Sequence, residues 1–176
     1  EKWLDGTATV EADSADTILR AAASRGDKKL FDKLVAAVKV EKDSRRRDRM
    51  VGAIATFREP SLVKAGLDLF LDPALDARVA VGLLWNQHHD NLPIAWEYMK
   101  AHFDPMMARM AVELRPYLLG MVGDFCDEAH RADAESFLKD RAQKITGAPR
   151  VLAQSLEGIS ICIAKREAYK ESLRAF

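Results

Sequence analysis

Apolar residues in this chain recur at spacings of three and four and almost never alternate, and that regularity excludes most folds at once. In the stretch 27–41, Leu30, Phe31, Leu34, Val35 and Val38 fall on one face of a helix. In 43–57, Met50, Val51, Ile54 and Phe57 do the same, and Leu62, Val63, Leu67, Phe70 and Leu71 mark a third helix. A last long helix starts near Ala148, with Leu152, Leu156, Ile159 and Ile163 in a narrow stripe. β-branched runs bounded by turn residues are missing, so the expected class is all-α.

The prolines predict where helices begin. Proline is tolerated in a first turn, where its missing N–H would have no intrahelical partner. A preceding acidic residue can cap the free amides there. Glu59-Pro60, Asp72-Pro73 and Asp104-Pro105 follow this scheme, and Pro93, Pro116 and Pro149 are also read as helix starts. Short connections at Gly26-Asp27, Lys42-Asp43, Arg58-Glu59 and Asp72-Pro73 then separate helices of about three to four turns. Pairs repeating every ~35–45 residues predict a HEAT/armadillo-like α-α superhelix, a solenoid of antiparallel helix pairs. An irregular helical bundle is the alternative.

Lys plus Arg equals Asp plus Glu at 27 each, without the basic surplus that displaces counterions from phosphates, which argues against nucleic acid as a partner. No apolar run approaches the ~20 residues of a membrane span, so a soluble chain is expected, with localisation open between cytoplasmic and exported. Cys126 and Cys162 are too few for a disulfide scaffold, and sequence alone does not say whether they meet. The chain opens on Glu1-Lys2-Trp3-Leu4 without an initiator Met, which reads as the tail of an earlier helix and predicts a fragment.

Few constellations carry chemistry. The zinc-peptidase motif H-E-x-x-H is absent, as are phosphate-cradling glycine loops and a nucleophile elbow. His88-His89-Asp90-Asn91 reads as a polar inter-helix turn, since adjacent histidines diverge and no second ligand pair is visible. Cys126 and His130 have the i, i+4 spacing of an activated thiol. Asp127, however, looks like an N-cap, which leaves Cys126 in an apolar stretch as a small hydrophobe. The run Arg45-Arg46-Arg47-Asp48-Arg49 could steer an acidic partner, but its interleaved Asp48 and the apolar Met50 and Ile54 opposite predict a solvated helix face.

The polar side of the last helix is the candidate site. Arg150, Gln154 and Glu157, four and three residues apart, share a stripe roughly opposite Leu152-Leu156-Ile159-Ile163. Ile161 falls near that stripe, which predicts that both sides of the helix are partly covered.

Arg150-x3-Gln154-x2-Glu157-x-Ile159 followed by Cys162-Ile163-Ala164 resembles the last helices of the C-terminal domain of the aminopeptidase N / puromycin-sensitive aminopeptidase family. Asp124-Phe125-Cys126-Asp127 and Phe137-Leu138-Lys139 resemble that family's short acidic turn and next helix. Ala95-Trp96-Glu97-Tyr98 with His102-Phe103-Asp104, Arg25-Gly26-Asp27, and Phe57-Arg58-Glu59-Pro60-Ser61-Leu62-Val63 extend the likeness over nearly the whole chain. The family often carries Pro and Arg in the loop matching Gln87–Asn91, and Asn-Trp where this chain has His102-Phe103.

The resemblance implies that residues 1–176 are a single α-solenoid domain, the C-terminal part of a larger helical domain in a multidomain aminopeptidase. That domain would wall a chamber for peptide substrates and contact the catalytic domain of the same parent chain, with Arg150, Gln154 and Glu157 as wall or interdomain residues. Zinc is expected in the parent's catalytic domain and no cofactor in this chain, which would hold no catalytic or metal-ligating residue of its own. A free-standing α-solenoid that binds a protein partner is the alternative.

Overall fold

The computed structural model describes residues 3–4, 6–7 and 10–174, and only the backbone of residues 12, 13, 171, 173 and 174. It is 75% helix, with no strand among the described residues. Its internal contacts gather into two compact units, Glu1–Arg109 and Met110–Phe176.

The first unit is built around α1 (Ala12–Ala23), α2 (Lys28–Val40) and α3 (Ser44–Ile54). Carboxylates start two of these helices: Asp27 accepts from Leu30 N and Asp43 from Arg46 N, each at 2.9 Å. Such caps satisfy amides that no preceding turn can reach. The second half of α3, Met50 to Ile54, is buried all round because α1, α2 and the short α6 (Gly82–Trp85) pack against it. Gly52 makes room there for the Arg20 guanidinium of α1, which pairs with Asp16 at 2.9 Å and donates to Asn86 Oδ1 at 2.8 Å. Phe57 is fully buried and meets Phe31 edge to face, ring centroids 5.2 Å apart, the arrangement that ring quadrupoles favour.

Glu59 caps α4 (Pro60–Asp68), with Pro60 at its first position as expected. The helix stops at Asp68, so Phe70 and Leu71 lie in a turn rather than on the third helix, although Phe70 is still buried. Asp72-Pro73 does not start a helix either. Asp72 accepts from Ala74 N at 2.9 Å to close a turn, and α5 (Ala77–Ala80) begins only after Asp76. The loop is held by Arg109, which donates to the Phe70 carbonyl at 2.6 Å and to the Leu75 carbonyl, and by the Lys39–Asp72 ion pair at 2.6 Å. α7 (Leu92–Ala101) packs against α4 and buries Ala95, Trp96 and Met99, with Pro93 in its first turn. α8 (Phe103–Arg109) places Pro105 third, so Asp104 lies inside the helix instead of capping it. Trp3 sits in a turn that the Gly6 N–H closes at 3.3 Å; of the segment read as an earlier helix's tail, Glu1 and Lys2 lie outside the described residues.

The second unit comprises α9 (Arg115–Leu118), a 3-10 segment Leu119–Asp124, α10 (Glu128–Ala142) and α11 (Ala148–Arg174). Its core joins Leu118, Leu119, Val122 and Phe125 to Ala134, Leu138 and Ala142 of α10 and to Leu152 and Ile159 of α11. Pro116 and Pro149 fall in first turns, as their lack of an N–H requires. The expected three to four turns hold for α1 to α3, but residues 77–124 include helices of only four residues. Among the described residues no helix is long and apolar enough to cross a membrane.

Candidate functional site

α11 is launched by Gly147, whose φ of +84° is a conformation that a side chain would strain. The helix buries Ala148, Leu152, Ser155 and Ile159 against the 3-10 segment and α10. The Ser155 hydroxyl donates to Val151 O at 3.0 Å, which lets a polar residue sit in that face. Approach is close here: a Cβ at Gly123 would lie 3.5 Å from Ser155, and one at Gly158 3.7 Å from the Gly123 carbonyl.

Arg150, Gln154 and Glu157 lie on the opposite side and all three are exposed. Among the described residues no hydrogen bond or ion pair holds them. Ile161 continues the stripe one turn on and is 48% exposed, so among the described residues this second side of α11 is only half covered at that position. Beyond Ile163 every described side chain of the helix is exposed, including Tyr169. A groove of about 580 Å³ runs beside this stretch, lined by Gly158, Ile161, Lys165, Arg166, Tyr169 and the two cysteines.

Those cysteines are bonded to each other, Sγ–Sγ 2.02 Å, across 36 positions of sequence. The link joins the residue before the α10 cap to the middle of α11, and Arg166 adds a donated bond to the Cys126 carbonyl at 3.3 Å. Neither the thiol-nucleophile nor the buried-hydrophobe expectation for Cys126 anticipates this state; the sulfur is occupied and no thiolate faces His130. The Asp127 cap is as expected: it accepts from His130 N at 2.9 Å and its other oxygen lies 2.7 Å from His130 Nδ1. The His130 amide, followed by the imidazole, holds the Asp127 carboxyl below the usual range. The ring itself stacks on Phe125 at 4.1 Å, so the Asp127–His130 pair serves the helix start.

The remaining sequence candidates belong to the first unit. His88 is held between Arg58 Nη2, 2.9 Å from Nε2, and Asp90 Oδ2, 3.2 Å from Nδ1. The short turn His89–Asn91 is polar as expected, yet Asn91 is buried and donates Nδ2 to the Phe57 carbonyl at 2.7 Å. Among the described residues no group of three or more His, Cys, Asp or Glu is placed to hold a metal ion. The arginine run is less solvated than its charge implies. Arg46 stacks over Trp3 at 4.0 Å and pairs with Glu41 at 2.8 Å, while Arg47 Nε is buried without a partner. The outward placement of Arg150, Gln154 and Glu157 follows from their spacing; the disulfide and the groove left no local signal.

A family model, ERAP1-like C-terminal domain, matches residues 1–161. The chain therefore belongs to the ERAP1-like C-terminal domain family, the non-catalytic C-terminal domain of M1 aminopeptidases. The match includes Arg150, Gln154 and Glu157 and ends at Ile161, one residue before the second half-cystine. No curated protein matches the chain.

Proposed function

We propose that this chain walls the peptide chamber of a zinc aminopeptidase whose catalytic domain lies elsewhere in the same parent protein, and that its helix pairs form a HEAT/armadillo-like superhelix. Family membership carries this reading. In it the zinc and the bond-breaking residues belong to the catalytic domain. The contribution of this chain is exclusion and grip: a helical wall admits flexible peptides, keeps folded proteins out, and binds substrate away from the scissile bond.

Arg150, Gln154 and Glu157 are the residues assigned to wall or interdomain contact. Their support is physical: a row of long polar side chains, exposed and unengaged, ends on a half-exposed isoleucine. A polar rim beside an apolar centre is the composition of an interface. The test titrates the 176-residue chain against the separately expressed catalytic domain of its parent, with complex formation read by sedimentation velocity. A complex is expected, and the double reversal Arg150→Glu, Glu157→Arg weakens it at least tenfold, the factor of about 1.4 kcal/mol. Absence of a complex would overturn the chamber reading, and a complex indifferent to the reversal would remove the row from the contact.

A further inference from the structure

The groove between α4 and α7, wholly within the first unit, is built differently from the α11 surface and does not depend on the chamber reading. It is open to solvent and offers about 560 Å³, a volume within the range of ligand sites. Pro93 and Ile94 supply apolar wall, and Tyr98 with His102 an aromatic one. The two rings stack at 4.2 Å, and His102 Nδ1 lies 3.0 Å from the Tyr98 carbonyl, which fixes the pair.

Tyr98 is only 8% exposed, and its hydroxyl has no partner in hydrogen-bonding geometry. A buried polar atom left in that state is costly. The Asp68 carboxylate, at the end of α4, is near enough to act on the hydroxyl while falling short of a full bond. Among the described residues no ion pair engages Asp68. The rim therefore sets the carboxylates of Asp68 and Glu97 against the single ammonium of Lys64. Glu97 is already paired, with Lys100 at 2.8 Å. What stays without a protein partner is one exposed carboxylate, Asp68, beside one buried hydroxyl, at the edge of an apolar slot.

We propose that this groove binds a basic side chain of a peptide, arginine in preference to lysine. The aliphatic stem lies on Pro93 and Ile94. The guanidinium donates to Asp68 and to the Tyr98 oxygen, while the Tyr98 hydroxyl donates to Asp68. The planar cation also suits an aromatic wall, which a compact ammonium uses less well. An acidic side chain would meet two carboxylates, and a neutral apolar one would leave the hydroxyl unpaired.

The test is an NMR titration of the 176-residue chain with N-acetyl-arginine amide, N-acetyl-norleucine amide and N-acetyl-glutamate amide. The arginine probe is expected to shift amides in 64–68 and 93–102 with a Kd of about 1 mM, the scale for a ligand of its size. It binds at least fivefold tighter than norleucine. Asp68→Asn weakens it about tenfold, as loss of a charged hydrogen bond does. Lys64→Gln tightens it about two- to threefold by removing the competing cation, a gain that damage to the fold cannot produce. Equal binding of norleucine, a preference for glutamate, shifts confined to other regions, or indifference to both substitutions would each overturn the proposal.

Discussion

The disulfide between Cys126 and Cys162 is the strongest single constraint on the second unit, and its removal has a calculable effect. A link closing 36 positions of sequence withdraws about 13 cal/mol/K of loop entropy from the unfolded chain, or about 4 kcal/mol at 25 °C. A unit of this size holds only about 3–10 kcal/mol in total, so the loss takes from about two-fifths of its stability to all of it. Position sharpens the effect. Ile159 is the last fully buried residue of α11, and every described side chain beyond Ile163 is exposed, so among the described residues the link, with the exposed Arg166 bond to the Cys126 carbonyl beyond it, anchors the end of the helix. Replacing both cysteines with alanine, or reducing the native chain, should lower the urea midpoint of the second unit and release its amide protection first around residues 119–126 and 155–170. Tryptophan fluorescence will not report this directly, because Trp3, Trp85 and Trp96 all lie in the first unit. Hydrogen exchange read by mass spectrometry with urea, alongside a thiol count, is the appropriate assay. Unchanged protection in a chain shown to carry two free thiols would refute the reasoning.

Two further expectations concern the first unit. Asn91→Ala strips the buried Phe57 carbonyl of its donor and should cost about 1–3 kcal/mol in thermal or urea unfolding, whereas the exposed Asp90→Ala should stay within about 0.5 kcal/mol; equal effects would show that the Asn91 bond contributes nothing. Burial, reinforced by Asp68, raises the Tyr98 phenol above its ordinary value. The folded state thus favours the neutral phenol, so this contribution is complete below the unfolded value of about 10 and is lost as pH rises beyond it. Melting temperatures measured across pH 8–11 should fall at the alkaline end, and less steeply in Tyr98→Phe; parallel profiles would contradict that assignment.

Helical class, most helix starts and the inward faces were legible in the sequence because they depend on a local repeat. Leu152 and Ile159 face inward on α11 for the same reason that Arg150, Gln154 and Glu157 face outward: the 3.6-residue period separates them before any tertiary contact forms. Proline's missing N–H is equally local, which is why Pro60, Pro93, Pro116 and Pro149 fall in first turns. Pro73 departs from that pattern and lies in a loop tied by Lys39 and Arg109, both distant in sequence. Tertiary structure alone decided that Cys126 meets Cys162, that Asn91 of a polar turn reaches the Phe57 carbonyl, and that Ile161 is left half exposed. Each depends on which elements approach each other across dozens of residues, and a periodic pattern carries no information about that distance.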